Sequence, residues 1–343
     1  MARVLVVGGA GYVGGWLVDR AIEAGHDVRV YDLLLYEDRF LKDVPFINGD
    51  VLDRERVRPA LEWADTVVWL AALVGDPACA LDPPLTRKIN LDTVTWLAEV
   101  FDGRIVFPST CSIYGAQEDE LDEDSPTNPL SLYAETKLEA ERLLLAKRPE
   151  SLVLRLGTLA GLGDSYSRIR FDLVVNLLAA RAKLIGELQV FGGRQYRPLL
   201  HVRDVATAIL PHLESGPGGA FNLGTENTTI FELAERVVER VGNAKIQQVD
   251  TPFQDTRNYR VSFAKAQREL QFTPQFSIND AIDEIAALIE GGRVKDPTLS
   301  QFSNLDALRP YLKPEAIPLG REVRTSHQLA RHAGPAQPAT LPA

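Results

Sequence analysis

Tyr133 and Lys137 stand four residues apart in the run Tyr133-Ala134-Glu135-Thr136-Lys137. On a helix that spacing puts a phenol and an ammonium on one face, one turn apart. A phenol with a pKa near about 10 is a poor base at neutral pH, and a neighbouring cation favours its phenolate. Helices carry such pairs by chance, so the weight rests on the company this pair keeps. One companion is the hydroxyl-rich run Ser109-Thr110-Cys111-Ser112, which closes an apolar segment. A hydroxyl there is placed to bond the oxygen on which a phenolate acts. Taken without the other motifs, the same run reads as a plain Ser/Thr turn.

The other companion is Gly8-Gly9-Ala10-Gly11-Tyr12-Val13-Gly14, directly after the apolar run Val4-Leu5-Val6-Val7. It reads as GxGxxG on Gly9, Gly11 and Gly14, or as GxxGxxG on Gly8, Gly11 and Gly14. Glycine lets backbone approach a pyrophosphate where a Cβ would block it, and the helix that follows points unpaired N–H groups at the phosphates. A tight turn is the plainer reading; the strand before and helix after favour a dinucleotide. Asp32 closes the next apolar run, where an acid bonds the ribose 2′- and 3′-hydroxyls and repels a 2′-phosphate. Leu33-Leu34-Leu35 follow it with no compensating cation, which favours NAD over NADP. Asp50 and Val51 stand where they would meet the adenine edge, although a turn aspartate after Gly49 reads equally well.

These residues need a scaffold. Apolar runs at 4–7, 28–31, 66–71 and 104–107 read as strands buried on both faces, with helical stretches at 11–24, 53–63 and 84–101 between them. That alternation predicts a doubly wound parallel α/β sheet of Rossmann type. A helix is expected over 131–147 and a strand over 152–156, while the acidic segment 118–124 reads as a solvated loop. Beyond Gly157 the regularity fades into a smaller mixed α/β lobe with helix-like stretches at 171–184 and 230–241. Residues 334–343, rich in Gly, Pro and Ala, read as a disordered tail.

Composition narrows the class of partner. With 343 residues, 24% charged and 45% hydrophobic, the chain exceeds one usual core and is not disordered throughout. A net charge of −10 makes nucleic acid and anionic membrane poor partners. No apolar run nears the roughly 20 residues of a membrane helix, and the start lacks a signal-peptide core, so a soluble, cytoplasmic enzyme is expected. Cys79 and Cys111 have neither ligand spacing nor an evident base partner, so packing is expected of both, with no disulfide framework and no metal site.

From residue 1 to about 290 the chain resembles the extended short-chain dehydrogenase/reductases, in particular the nucleotide-sugar epimerases and dehydratases. The resemblance is carried by GGAGYVGG at 8–15, Asp32, GDVLD at 49–53, LAALVG at 70–75, STCSIYG at 109–115, YAETK at 133–137 and RPLLHVRDVA at 197–206. It implies NAD as cofactor, a nucleotide-diphosphate sugar as partner, and a homodimer formed through the helices at 84–101 and 131–147. It implies catalysis by Thr110, Tyr133 and Lys137. It also implies cofactor contacts from Gly8, Gly11, Tyr12, Val13, Gly14, Asp32, Asp50, Val51, Leu70, Ala71, Ala72 and Asn90, besides the Tyr/Lys pair. Arg197 matches an arginine that reaches the substrate diphosphate, and His201 in the same motif is read as structural. The implied division is a cofactor domain at 1–158 plus about 198–223, a sugar lobe at about 159–197 and 224–290, and an extension from 291.

Departures shape the expected reaction. The dehydratase branch carries an Asp-Glu pair after its threonine, where this chain has Cys111-Ser112. The 4-epimerase branch carries Asn where Thr158 stands, and a second diphosphate arginine where Pro252 stands; Arg257 is the substitute expected. The segment Ser165-Tyr166-Ser167-Arg168-Ile169-Arg170 offers Arg168 or Arg170 to the sugar or its diphosphate, or is simply a solvated loop. The expected activity is redox-neutral epimerisation at C4 through a 4-keto sugar. The alternatives are one-way 4-ketoreduction, decarboxylation of a hexuronate, and a non-catalytic NAD-sensing module.

Overall fold

The computed structural model describes residues 1–36, 39–164, 168–249 and 257–312, with the backbone of Arg324 and Thr325. Seven strands form one parallel sheet: β1 (Arg3–Val7), β2 (Asp27–Asp32), β3 (Phe46–Asn48), β4 (Thr66–Trp69), β5 (Arg104–Thr110), β6 (Leu152–Leu156) and β7 (Gly219–Leu223). Their order is β7-β6-β5-β4-β1-β2-β3. The chain runs outward from β1 to β3 on one side and then returns to start β4 on the other. That reversal leaves a crevice beyond the carboxyl ends of β1 and β4, where open α/β sheets bind ligands.

Continuous apolar strands are possible because both faces are covered. Val4 and Val6 pack on one face with Leu17 of α1 (Gly14–Glu23) and Val205. Leu5 and Val7 pack on the other with Leu97 of α2 (Thr93–Val100) and Leu144 of α3 (Leu132–Lys147). Each such side chain contributes about 1.5–3 kcal/mol relative to its exposed state.

A second apolar cluster joins α4 (Val174–Ile185), α5 (Ile230–Val241) and α6 (Ile278–Glu290). Capping boxes start two of these helices, Thr229 with Glu232 and Ser277 with Asp280. A three-stranded sheet of Glu226–Thr229, Tyr196–His201 and Thr158–Ala160 joins the two clusters, with Leu200 in the first and Leu199 and Ala160 in the second.

Three local expectations are corrected. The acidic segment contains a strand, Ala116–Leu121, paired in parallel with Asn258–Val261. Its charges face outward while Leu121 is buried beside Ile113 and Val261, a long-range pairing that composition cannot show. The helix expected over 84–101 contains a π-helical turn, Lys88–Asp92, between Pro83–Arg87 and α2. Residues 300–312, where periodicity is weak, include the short helix α7 (Asn304–Leu308), whose Leu308 is buried beside Leu73 and Cys79 and whose Asn304 bonds Asp172 and Val74. Residues 334–343 and Pro252 lie outside the described residues.

Candidate functional site

The glycine turn forms from steric demand. Gly8 has φ +85°, and a Cβ there would lie 2.5 Å from the Ala71 backbone nitrogen, so turn and β4 loop touch through backbone alone. Gly14 opens α1 so close to the turn that its Cβ would sit 2.5 Å from Gly9 Cα. Val13, at the helix N-cap, makes no side-chain cap, and the first turn of α1 holds no acid. The positive end of α1 is therefore left for an external anion.

Asp32 is held at the crevice edge. Its Oδ2 accepts from Ala10 N at 3.0 Å and its Oδ1 from Leu34 N at 2.7 Å. Burial pushes the carboxyl pKa up, against the pull of these two N–H groups. Asp50 caps its own turn, accepting from Leu52 N at 2.9 Å, and Tyr31 Oη donates to its carbonyl.

One cavity of about 230 Å³ collects these groups. It is lined by the glycine turn with Tyr12 and Val13, by Asp32, by Asp50 and Val51, by Leu70 to Ala72, and by Tyr133 and Lys137. Eleven of the twelve expected cofactor contacts meet there, all but Asn90, with Tyr133, Lys137, Arg168 and Arg170, while Thr110 does not line it. The turn, the uncapped helix end and the buried carboxylate fit an adenine dinucleotide with unsubstituted ribose.

Ser131 caps α3 by accepting from Ala134 N at 3.2 Å, and so orients the helix that carries Tyr133 and Lys137. Thr110, buried at the end of β5, accepts from Ser112 N at 3.1 Å, and its hydroxyl is one of the groups that lower the Tyr133 phenol. The electrostatics correct the expectation for this pair. Burial pushes the Tyr133 phenol up; Cys79 and Asp76 push the same way, while Arg170 and Thr110 pull it down. Burial also lowers Lys137, to about 7, against the opposing Glu141 carboxylate, and its Nζ lies 3.9 Å from the centre of the Phe107 ring. Desolvation outweighs the attraction of a lysine one turn away. Arg170, which also lines the cavity, adds a cation that draws the phenol down.

Other expected residues fall elsewhere. Asn90, in the π-turn, is buried outside the cavity, where it bonds the Leu73 backbone and approaches Thr136. It braces the cavity wall through Leu73, which lines it. Arg197 donates to the Tyr196 and Arg257 carbonyls at 2.8 and 2.5 Å. Arg257 pairs with Asp76 at 3.1 Å and reaches Ser112 Oγ at 3.4 Å. These arginines, with Ser112 and Tyr259, form a second polar group adjoining Thr110. Thr158 pairs opposite Leu199 and does not line the cavity. Arg168 lines the cavity instead of joining Arg197 and Arg257. Asn304 and Tyr36 also line it, and no local pattern marked either one.

His201 has a structural setting. Its Nδ1 accepts from Arg203 N, so Nε2 carries the proton toward Glu284, 3.1 Å away. Both cysteines are free and buried. Burial pushes Cys79 up to about 12 and raises Cys111 further, so neither is a ready nucleophile. Among the described residues no helix is long and apolar enough to cross a membrane.

A switch-point cavity that joins a glycine turn, a ribose carboxylate and a Tyr/Lys helix defines a dinucleotide-dependent oxidoreductase of Rossmann type. The chain belongs to the NAD dependent epimerase/dehydratase family, matched over residues 4–224. It is 29% identical to a UDP-glucose 4-epimerase of Rhizobium meliloti over 315 residues, 80% of this chain and 93% of the relative. It is 26% identical to UDP-glucuronic acid decarboxylase 1 of Danio rerio over 82% of this chain and 71% of the relative. Among solved structures, UDP-glucose 4-epimerase with UDP-glucose from Thermotoga maritima superposes with a TM-score of 0.76 at 26% identity, covering 85% of this chain and all of that one. The Thermus thermophilus UDP-glucose 4-epimerase complex with NAD gives 0.71 at 27% identity, covering 82% and 98%. The expected fold, the NAD cofactor and the extended short-chain dehydrogenase/reductase type of enzyme hold.

Proposed function

We propose that the chain is an NAD-dependent epimerase of a nucleotide-activated sugar, acting at C4 through a transient 4-keto sugar. The observation that carries this reading is the Tyr133 phenol and the Lys137 ammonium lining the dinucleotide cavity together, with Thr110 among the groups that hold the phenol down. Bound NAD supplies a reversible hydride acceptor. Thr110 orients the sugar oxygen, Tyr133 takes its proton, and Arg170 with Lys137 supplies positive charge near the phenolate that results. Arg197 and Arg257 serve the substrate diphosphate, where a guanidinium pairs with two phosphate oxygens.

The position after the threonine supports epimerisation over 4,6-dehydration. Cys111 is a buried, neutral thiol whose Sγ donates to Arg155 O, and Ser112 bonds the Tyr259 phenol. Neither offers the acid and base needed to expel a 6-hydroxyl. In this reading residues 1–158 with 198–223 hold the cofactor, and 159–197 with 224–290 hold the sugar nucleotide. The helices α2 and α3 serve a homodimer, and two reduced cysteines suit the cytoplasm.

The test is interconversion of a nucleotide-sugar panel that includes UDP-glucose and UDP-glucuronic acid, followed by proton NMR. Wild-type protein carrying its own NAD is expected to epimerise one member without consuming NADH. Tyr133→Phe is expected to lose about 100-fold to 10,000-fold in kcat. Undiminished turnover in that variant would remove the assigned base. Net NADH consumption with a 4-keto-6-deoxy sugar nucleotide would favour the ketoreductase.

A further inference from the structure

Two arginines reach the dinucleotide cavity from the second lobe. Arg168 and Arg170 are both buried, and both line it. Arg170 bonds Asp172 through Nε at 2.9 Å and Nη2 at 3.1 Å, and its Nη1 has no partner among the described residues. Its guanidinium carbon lies 5.8 Å from the ring centre of Tyr12, in the glycine turn. Asn176 holds these parts together: its amide meets Tyr12 Oη at 3.3 Å and the Arg170 carbonyl at 2.8 Å.

Arg168 lies 3.7 Å over the Tyr36 ring and donates to Asn304 Oδ1. Asn304 is itself tied on two further sides. Its Nδ2 donates to Val74 O at 2.7 Å, and its backbone N donates to Asp172 Oδ2 at 2.9 Å. The segment that carries it is anchored at both ends. Phe302 packs edge-on against Phe171, ring centres 5.1 Å apart, and Leu308 is buried beside Leu73 and Cys79.

The charge arithmetic identifies the ligand group. A dinucleotide diphosphate carries two negative charges, whereas a helix N-terminus offers about half a positive charge. Asp32 adds a negative charge at the ribose end. Two guanidinium groups, Arg168 and Arg170, line the cavity wall, with Asp172 bonded to Arg170 and Arg170 beside Tyr12 of the glycine turn.

We propose that residues 300–312 form a strap that, through Asn304, holds Arg168 and Arg170 against the cofactor diphosphate, so that the dinucleotide is retained through turnover. The inference rests on NAD occupying this cavity and not on which sugar reaction follows. It gives the segment beyond residue 290 a task and makes the second lobe a cofactor-binding element as well as a substrate-binding one.

The experiment measures ligand affinity and release on the full chain stripped of nucleotide, without turnover. Arg170→Gln is expected to weaken NAD and ADP-ribose alike by about tenfold or more, and to leave adenosine unchanged. Asn304→Ala is expected to speed NAD dissociation and to lower the dinucleotide retained on purification. Arg170→Lys, which keeps the charge and loses the fork, is expected to fall between wild type and Arg170→Gln. Should a variant fold poorly by melting temperature, the salt dependence of wild-type NAD affinity carries the test, and an affinity indifferent to salt overturns the proposal. Unchanged NAD release in folded Asn304→Ala overturns it, as does a loss confined to UDP. An unmodified chain that binds no NAD defeats the proposed function; normal NAD binding with insensitive variants defeats the strap alone.

Discussion

Asn90 grips both sides of Leu73: its Oδ1 accepts from Leu73 N at 2.8 Å and its Nδ2 donates to Leu73 O at 2.9 Å. A side-chain amide thus acts as an extra strand residue for the loop that walls the cavity. Asn90→Leu would leave the Leu73 N–H unsatisfied, at about 1–3 kcal/mol, and its carbonyl with only the Cys79 thiol at 3.3 Å. Denaturant unfolding is expected to show that loss together with weaker NAD binding. Full stability in the variant would contradict the role.

Asp32 holds the turn besides its proposed contact with the ribose. Asp32→Ala removes the acceptor for both Ala10 N and Leu34 N, so stability is expected to fall with cofactor affinity. The preference for NAD over NADP should shrink in the same variant, because the charge that repels a 2′-phosphate has gone. Paired titrations with the two cofactors check this, and an unchanged ratio would show that Asp32 does not read the ribose.

Lys137 ties function to stability through pH. Its pKa is lowered to about 7 in the folded protein from 10.5. Above 7 the unfolded chain holds a proton that the folded chain has released, so folding stability rises with pH. Between pH 7 and 8, before the two cysteines that are buried and neutral in the fold begin to ionise in the unfolded chain and oppose the trend, its contribution is a rise of about 1 kcal/mol per pH unit. Lys137→Met is expected to lose that slope, to be more stable near pH 7, and to lose turnover. A slope that survives in the variant would place the titration elsewhere.

The glycines of the turn separate packing from binding. Gly14→Ala puts a Cβ against the Gly9 backbone at 2.5 Å, whereas at Gly11 the nearest atom is Gly8 O at 3.3 Å. Gly14→Ala is expected to cost about 1–3 kcal/mol by overpacking. Gly11→Ala should keep most of the stability and weaken NAD, since Gly11 lines the cavity. Melting curves with and without NAD distinguish the two, and equal destabilisation would refute the assignment.

Much of the site is legible along the chain because its parts are local. Apolar runs, a glycine turn, an acid closing β2 and a Tyr/Lys pair one helical turn apart each declare themselves within a few residues. Arg170 and Asn304 do not, since nothing in their neighbourhoods shows that one wall will contain both. The strand Ala116–Leu121 escaped for a related reason: its partner Asn258–Val261 lies far along the chain, and its acidic surface hides the one buried leucine.

The sequence by itself determined the sheet, the glycine turn, NAD as the cofactor and the phenol–ammonium pair one helical turn apart. Those properties depend on periodicity, backbone freedom and side-chain chemistry, which short segments carry with them. Tertiary structure decided the charge balance around Tyr133, the bracing role of Asn90 and the placement of Arg168, because desolvation and long-range contacts exist only once distant segments share a dry interior.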